Sequence, residues 1–78
     1  MLSNNDVFKK IKVASAKLAG MKDSDFKECF RLGGHNISVA NFDSYKVSTE
    51  NKRYKPMPDE ALESFLDGLI QFAAEKNV

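Results

Sequence analysis

The sequence predicts an all-α domain: a bundle of four helices at approximately residues 4–19, 24–33, 39–47 and 58–76, with a helix-turn-helix-like middle and a central C-terminal helix. Two patterns carry this reading. Apolar residues recur at three- and four-residue intervals in four separate stretches, and each stretch opens on a Ser, Asp or Pro signal for a helix start. The first two also close on glycine, the usual helix stop. Length sets the scale. The 78 residues make one domain, 1–78, near the lower end of what folds unaided and burying roughly 60% of the surface its unfolded chain exposes. An apolar fraction of 42% and a charged fraction of 29% are those of a globular protein, with Phe the main core residue.

The first helix starts with Ser3 as cap and Asp6 three residues later as the capping-box acid, while Leu2 and Val7 occupy the positions of a hydrophobic staple. Val7, Ile11, Ala14 and Leu18 recur at helical spacing with Phe8 beside them and read as the inner stripe. Lys9, Lys10, Lys12 and Lys17 read as a solvated face, because no aromatic or Arg residues interleave with them as a lipid- or nucleic-acid-binding face would require. Gly20 supplies the positive φ that ends the helix.

Asp23 or Ser24 can cap the second helix, which places Phe26, Cys29, Phe30 and Gly33 along one side before the Gly33-Gly34 stop. Ser38 caps the third, with Ile37 stapling to Phe42, and Val39, Phe42 and Tyr45 are expected to face inward. That helix is short and rich in weak helix formers, so packing must hold it. Residues 47–57 lack periodicity and read as a loop that sets Lys52, Arg53 and Lys55 around Tyr54. Pro58 suits the first position of the last helix, and Asp59 and Glu60 follow where the helix dipole favours anions.

In the last helix Leu62, Phe65, Leu66, Leu69, Ile70 and Ala73 form a broad apolar face, widened by Ala61 and Phe72, opposite Glu60, Glu63, Asp67 and Gln71. Ser3, Ser38, Leu62, Phe65, Leu66, Gly68 and Leu69 are the residues expected to hold the fold. Gly68 stands in mid-helix, where glycine costs about 1 kcal/mol relative to alanine. It therefore predicts close approach of another helix, and the first helix is the expected neighbour.

Ser3-Asn4-Asn5-Asp6-Val7, the Gly-Gly turn, Tyr54-Lys55-Pro56, Pro58-Asp59-Glu60-Ala61-Leu62 and Phe65-Leu66-Asp67-Gly68-Leu69-Ile70 together resemble the YehS-like bacterial proteins, a domain-of-unknown-function family. The similarity covers essentially the whole chain, and the stretch from Phe65 to Ile70 is its most specific part. The resemblance implies a helical bacterial domain, often present in two tandem copies, where this chain has one. It implies no activity. Two positions depart from the family pattern: Tyr45 stands where Trp is usual, and Lys52-Arg53 lies in a loop that tends to be acidic.

Chemistry is constrained chiefly by what the chain lacks. With one Cys and one His there is no ligand set for zinc, and no phosphate loop, nucleophile elbow or dinucleotide fingerprint occurs. Cys29 reads as a buried small hydrophobe and His35 as a surface or capping imidazole in a turn. No catalytic residue, metal, cofactor or small-molecule ligand is expected, and the chain does not read as an enzyme. No apolar run approaches the roughly 20 residues of a membrane span. The start of the chain lacks a secretory h-region, and the single Cys suits a reducing cytoplasm.

Net charge is +1, but residues 1–39 carry seven basic against four acidic side chains and residues 40–78 five against seven. Two function classes remain. The first is a non-catalytic module binding a protein or a second copy of itself, with Tyr45, Lys46, Lys52, Arg53, Tyr54 and Lys55 as the candidate surface, since Tyr and Arg commonly anchor interfaces. The alternative is a helix-turn-helix DNA-binding domain, in which Asn41 and Ser44 face base edges and Lys46, Lys52, Arg53 and Lys55 contact phosphates. Asp43 on the reading helix opposes that alternative.

Overall fold

A computed structural model describes residues 1–76 and shows four helices: α1 (Asn4–Ala19), α2 (Asp23–Leu32), α3 (Val39–Lys46) and α4 (Asp59–Lys76). The all-α class and the approximate boundaries agree with the sequence reading. No helix among the described residues is long and apolar enough to cross a membrane.

The helix ends follow local chemistry. Ser3 accepts from the Asp6 N–H at 3.1 Å while the Asp6 carboxylate accepts from the Ser3 N–H at 3.2 Å, a reciprocal capping box. Both bonds favour the ionised acid, and the Asp6 pKa is lowered, first by the Ser3 backbone N–H. Leu2, however, remains 56% exposed, so the staple with Val7 buries little. Gly20 ends α1 at φ 66°. At the start of α2 neither Asp23 nor Ser24 is the cap. The cap position is Lys22, whose N–H donates to the Asp25 carboxylate at 2.9 Å. Ser38 caps α3 by accepting from the Asn41 N–H at 3.1 Å. α4 begins one residue later than expected, with Pro58 outside it and its carbonyl accepting from Ala61 and Leu62.

α2 and α4 form the central crossing. They run antiparallel, with Gly33 against Ser64 and Gly68 against Cys29. A methyl group on Gly68 would overlap the Cys29 carbonyl, and one on Gly33 would overlap the Ser64 backbone. The close approach expected at Gly68 is therefore present, but the neighbour is α2 rather than α1. One glycine stands on each side of the contact, Gly68 within α4 and Gly33 at the C-terminal cap of α2, so each backbone enters the space that the other's missing side chain leaves.

Into this scaffold the four helices place five fully or nearly fully buried Phe rings, Phe8, Phe26, Phe30, Phe42 and Phe65. Phe8 lies at the hub. Its ring centroid is 4.9 Å from Phe65, 5.7 Å from Phe30 and 5.9 Å from Phe42, all in edge-to-face geometry. That arrangement sets the positive ring edge on the negative face and adds to the burial energy. Cys29, Tyr45, Met57 and Ala61 complete the buried set.

Three helices expose residues that periodicity predicts to be inward. α1 buries Asn5 and Phe8, while Ala14 is exposed and Leu18 is 88% exposed. The expected stripe Val7–Ile11–Ala14–Leu18 is thus a flank rather than the core face. On α4 the buried line is Ala61–Phe65–Gly68, while Ile70 is 69% exposed and Ala73 is also exposed. Val39 on α3 is 63% exposed, leaving Phe42 and Tyr45 to anchor that helix. The physical reason is common to all three. Ring volume and backbone proximity decide which face a helix buries, and the small aliphatic residues follow.

Gly68→Ala is expected to lower stability by at least about 2 kcal/mol, because the added methyl meets backbone that cannot rotate away. Thermal denaturation followed by circular dichroism should show a fall of roughly 10 °C or more for a domain of this size. An unchanged melting temperature would place the α2–α4 crossing elsewhere.

Candidate functional site

Loop 47–57 is held by one side chain to which residue type and spacing assign no role. Asn5, 2% exposed, donates through Nδ2 to the Tyr45 carbonyl at 3.1 Å and the Lys55 carbonyl at 2.9 Å. Its Oδ1 accepts from the Met57 N–H at 2.7 Å. The Tyr45 carbonyl lies in the last turn of α3, where no helical partner exists. Asn5 therefore caps α3 and pins both ends of the loop from α1. Asn4 extends the clamp, donating to the Met57 carbonyl at 3.0 Å and to Asp59 Oδ1 at 2.6 Å. Met57, at the exit of the loop, is a core residue at 3% exposure.

This anchoring disperses the candidate surface on that loop. Tyr45 is 5% exposed and belongs to the core, and burial pushes its phenol pKa up. Lys46 is committed to Asp23 at 2.9 Å and Asp43 at 3.3 Å. Lys52, Arg53 and Lys55 are exposed and Tyr54, like Lys46, is half-buried, so of the six only Tyr45 is lost to the core while Lys46 is tied up by its ion pairs. Of the two residues read as DNA-facing, Ser44 is buried and donates to the Ala40 carbonyl at 2.8 Å. Asn41 remains accessible and accepts from Lys55 Nζ at 3.3 Å.

The lysines of α1 also divide. Lys12 does not belong to the solvated face. Its side chain is 15% exposed and pairs with Asp23 at 3.1 Å. Its ammonium stands 5.1–5.6 Å from the centroids of Phe8, Phe26 and Phe42, within cation–π range. Asp23, held by Lys46 and Lys12 together, has a lowered pKa and ties the start of α2 to α1 and α3.

Neither isolated reactive residue sits in a site. Cys29 is fully buried, and desolvation raises its thiol pKa to about 11, which leaves no thiolate near neutral pH. The His35 ring packs 5.7 Å from Phe30. No group of three or more His, Cys, Asp or Glu side chains among the described residues is placed to hold a metal ion.

The surface feature with a distinct shape lies between α1 and α4. Asn4 contacts Asp59 at the start of both helices. At the other end Ala19, Gly20 and Met21 line a groove of about 400 Å³ with Asp25 of α2 and with Leu69, Phe72 and Ala73. α1 and α4 therefore run side by side in the same direction, tied at the N-terminal end and open at the C-terminal end. Helical spacing places Val7, Ile11, Ala14 and Leu18 toward the side of α1 that carries Asn4, and Leu62, Leu66, Leu69 and Ala73 toward the side of α4 that carries Asp59, with Leu69 and Ala73 lining the groove itself. Both stripes follow the same four-three-four spacing. Beyond them lie an exposed basic lip on α1, Lys10 and Lys17, and an exposed acidic lip on α4, Glu63 and Asp67. These four charges take no part in the ion pairs among the described residues, which join Lys12, Lys46 and Arg31 to Asp23, Asp43 and Glu28.

Asn5→Ala is expected to cost about 3 kcal/mol, since it strands two carbonyls and one N–H in a buried site. Asn4→Ala, at a more exposed position, should cost less than about 1 kcal/mol. Urea denaturation of both variants measures the difference, and equal midpoints would remove Asn5 as the anchor.

Residues 4–73 match the model of one protein family, described as a protein of unknown function (DUF1456). No curated protein matches the chain, and no solved structure matches it.

Proposed function

The chain belongs to the DUF1456 family of proteins of unknown function, and on that premise we propose that it is a non-catalytic, cytoplasmic binding module that docks a helical protein surface in the α1–α4 cleft. One observation carries the reading. The most regular apolar stripe of α1 is not the face its own fold buries. Val7 and Ile11 are half-buried, Ala14 is open, and Leu18 and, across the cleft, Ile70 stand 88% and 69% exposed. Scattered exposed aliphatics mean little, but two stripes of matched spacing along one cleft fit the anatomy of an interface, an apolar centre with a charged rim. The partner suited to it is an amphipathic helix or helix pair with complementary charges. The resemblance to YehS-like bacterial proteins supports the helical module and adds no activity to it.

DNA recognition by α3 has less support, with Ser44 buried and Asp43 on the same helix. The juxtaposition of Asn41 and Lys55 is what remains in its favour. Absence of salt-dependent binding to duplex DNA at micromolar protein would remove it.

The Leu18→Glu, Ile70→Glu double variant should keep its melting temperature, because both side chains are already in solvent. It should fail to retain a protein that the immobilised wild-type domain retains, its own kind or another. Identical retention by wild type and variant would overturn the docking reading.

A further inference from the structure

The occupant of the cleft can be named from the charges around it, granted the docking reading above. We infer that it is a second copy of this chain, in a two-fold dimer that sets α1 of each copy on α4 of the other.

The inference starts from register. The Asn4–Asp59 contact aligns the starts of two parallel helices of equal rise, so residues of α1 and α4 that differ by the same sequence offset lie at the same height. In that register Lys10 falls at a height between those of Glu63 and Asp67, and Leu18 falls close to those of Ile70 and Ala73. Within one copy the lips lie on opposite sides of the cleft. A two-fold axis parallel to the helices exchanges the sides and preserves the heights. It brings the basic lip of each copy onto the acidic lip of the other, twice, with Lys10 between Glu63 and Asp67. The same operation sets Leu18 of one copy against Ile70 of the other. A two-fold axis in the face but perpendicular to the helices would instead lay lysines on lysines and acids on acids. The charge pattern therefore selects both the partner and the symmetry, as an isologous interface requires.

The apolar spacing agrees. Residues four, three and four apart form the seam of left-handed helix bundles. Two parallel helices from each copy would close a four-helix layer over the cleft. A face about 24 Å long and about 20 Å wide hides on the order of 500 Å² per copy, or roughly 1,000 Å² in all, the lower limit of a specific interface. The dimer should be reversible and concentration-dependent, and weaker in salt because its lips are exposed.

Sedimentation equilibrium from about 10 μM to about 1 mM protein, the range suited to so small a face, should show a monomer–dimer equilibrium that shifts toward monomer at high salt. Lys10→Glu with Lys17→Glu makes both lips acidic, and Glu63→Lys with Asp67→Lys makes both basic. Each variant alone should dimerise at least about tenfold more weakly while remaining folded by circular dichroism. Mixed in equal amounts, the two should form a heterodimer, which a loss of folding cannot mimic. A wild type that stays monomeric throughout overturns the inference, as does a dimer indifferent to both charge reversals. If wild type is monomeric but the Leu18→Glu, Ile70→Glu variant alone loses a retained partner, the docking reading stands and the second copy is excluded. If neither occurs, both fall.

Discussion

The α2–α4 crossing is the constraint on which the rest of the domain depends. Gly33 and Gly68 let two backbones approach until Cβ atoms would collide with Ser64 and Cys29. Such an approach is costly in helix propensity and in side-chain burial, and a chain of 78 residues has little stability to spare. What it provides is geometry. With α2 and α4 held close and antiparallel, Phe26, Phe30 and Phe65 project from the pair into one volume, and Phe8 and Phe42 enter it from α1 and α3. A wider spacing would leave the five rings short of the edge-to-face contacts that fill the core.

The second layer of organisation is polar. α3 is a poor helix by composition, and loop 47–57 contains no helix or strand, only turn hydrogen bonds around Asn51 and one from Lys55 back to Ser44. A buried asparagine on α1 resolves both, because one amide offers two donors and an acceptor within a small volume. Asn5 thereby couples the first helix to the last residues of α3 and to the entry of α4. Lys12 does a related task on the same inner side of α1. Its stem is shielded by phenylalanine rings and its charge is satisfied by Asp23, so a residue type normally found in solvent becomes part of the packing.

These two features explain why α1 turns a different face inward than its periodicity suggests. Asn5, Phe8 and Lys12 lie on one side of the helix, and each has a partner that no aliphatic residue could satisfy. The stripe from Val7 to Leu18 is displaced toward α4, where it meets a stripe of equal spacing across a cleft that the domain does not close. An apolar cleft, a basic lip and an acidic lip are then adjacent on one surface. The proposed function rests on that adjacency, whereas the loop favoured by residue types alone proves to be tied down for structural reasons.

The sequence by itself determined the four helices, their caps at Ser3 and Ser38, the stop at Gly20, the burial of Cys29 and the close approach at Gly68. Those features depend on contacts within a few residues or on steric requirements that hold whatever the neighbour. Only the tertiary structure decided that Gly68 faces α2, that Asn5 outranks Leu18 as an inward residue, and that Ile70 lies in solvent while Met57 does not. Helical periodicity reports that a face is apolar without saying which of two adjoining faces meets the core. That choice belongs to residues distant in sequence, through ring packing at Phe8 and the hydrogen-bond demands of Tyr45, Lys55 and Met57.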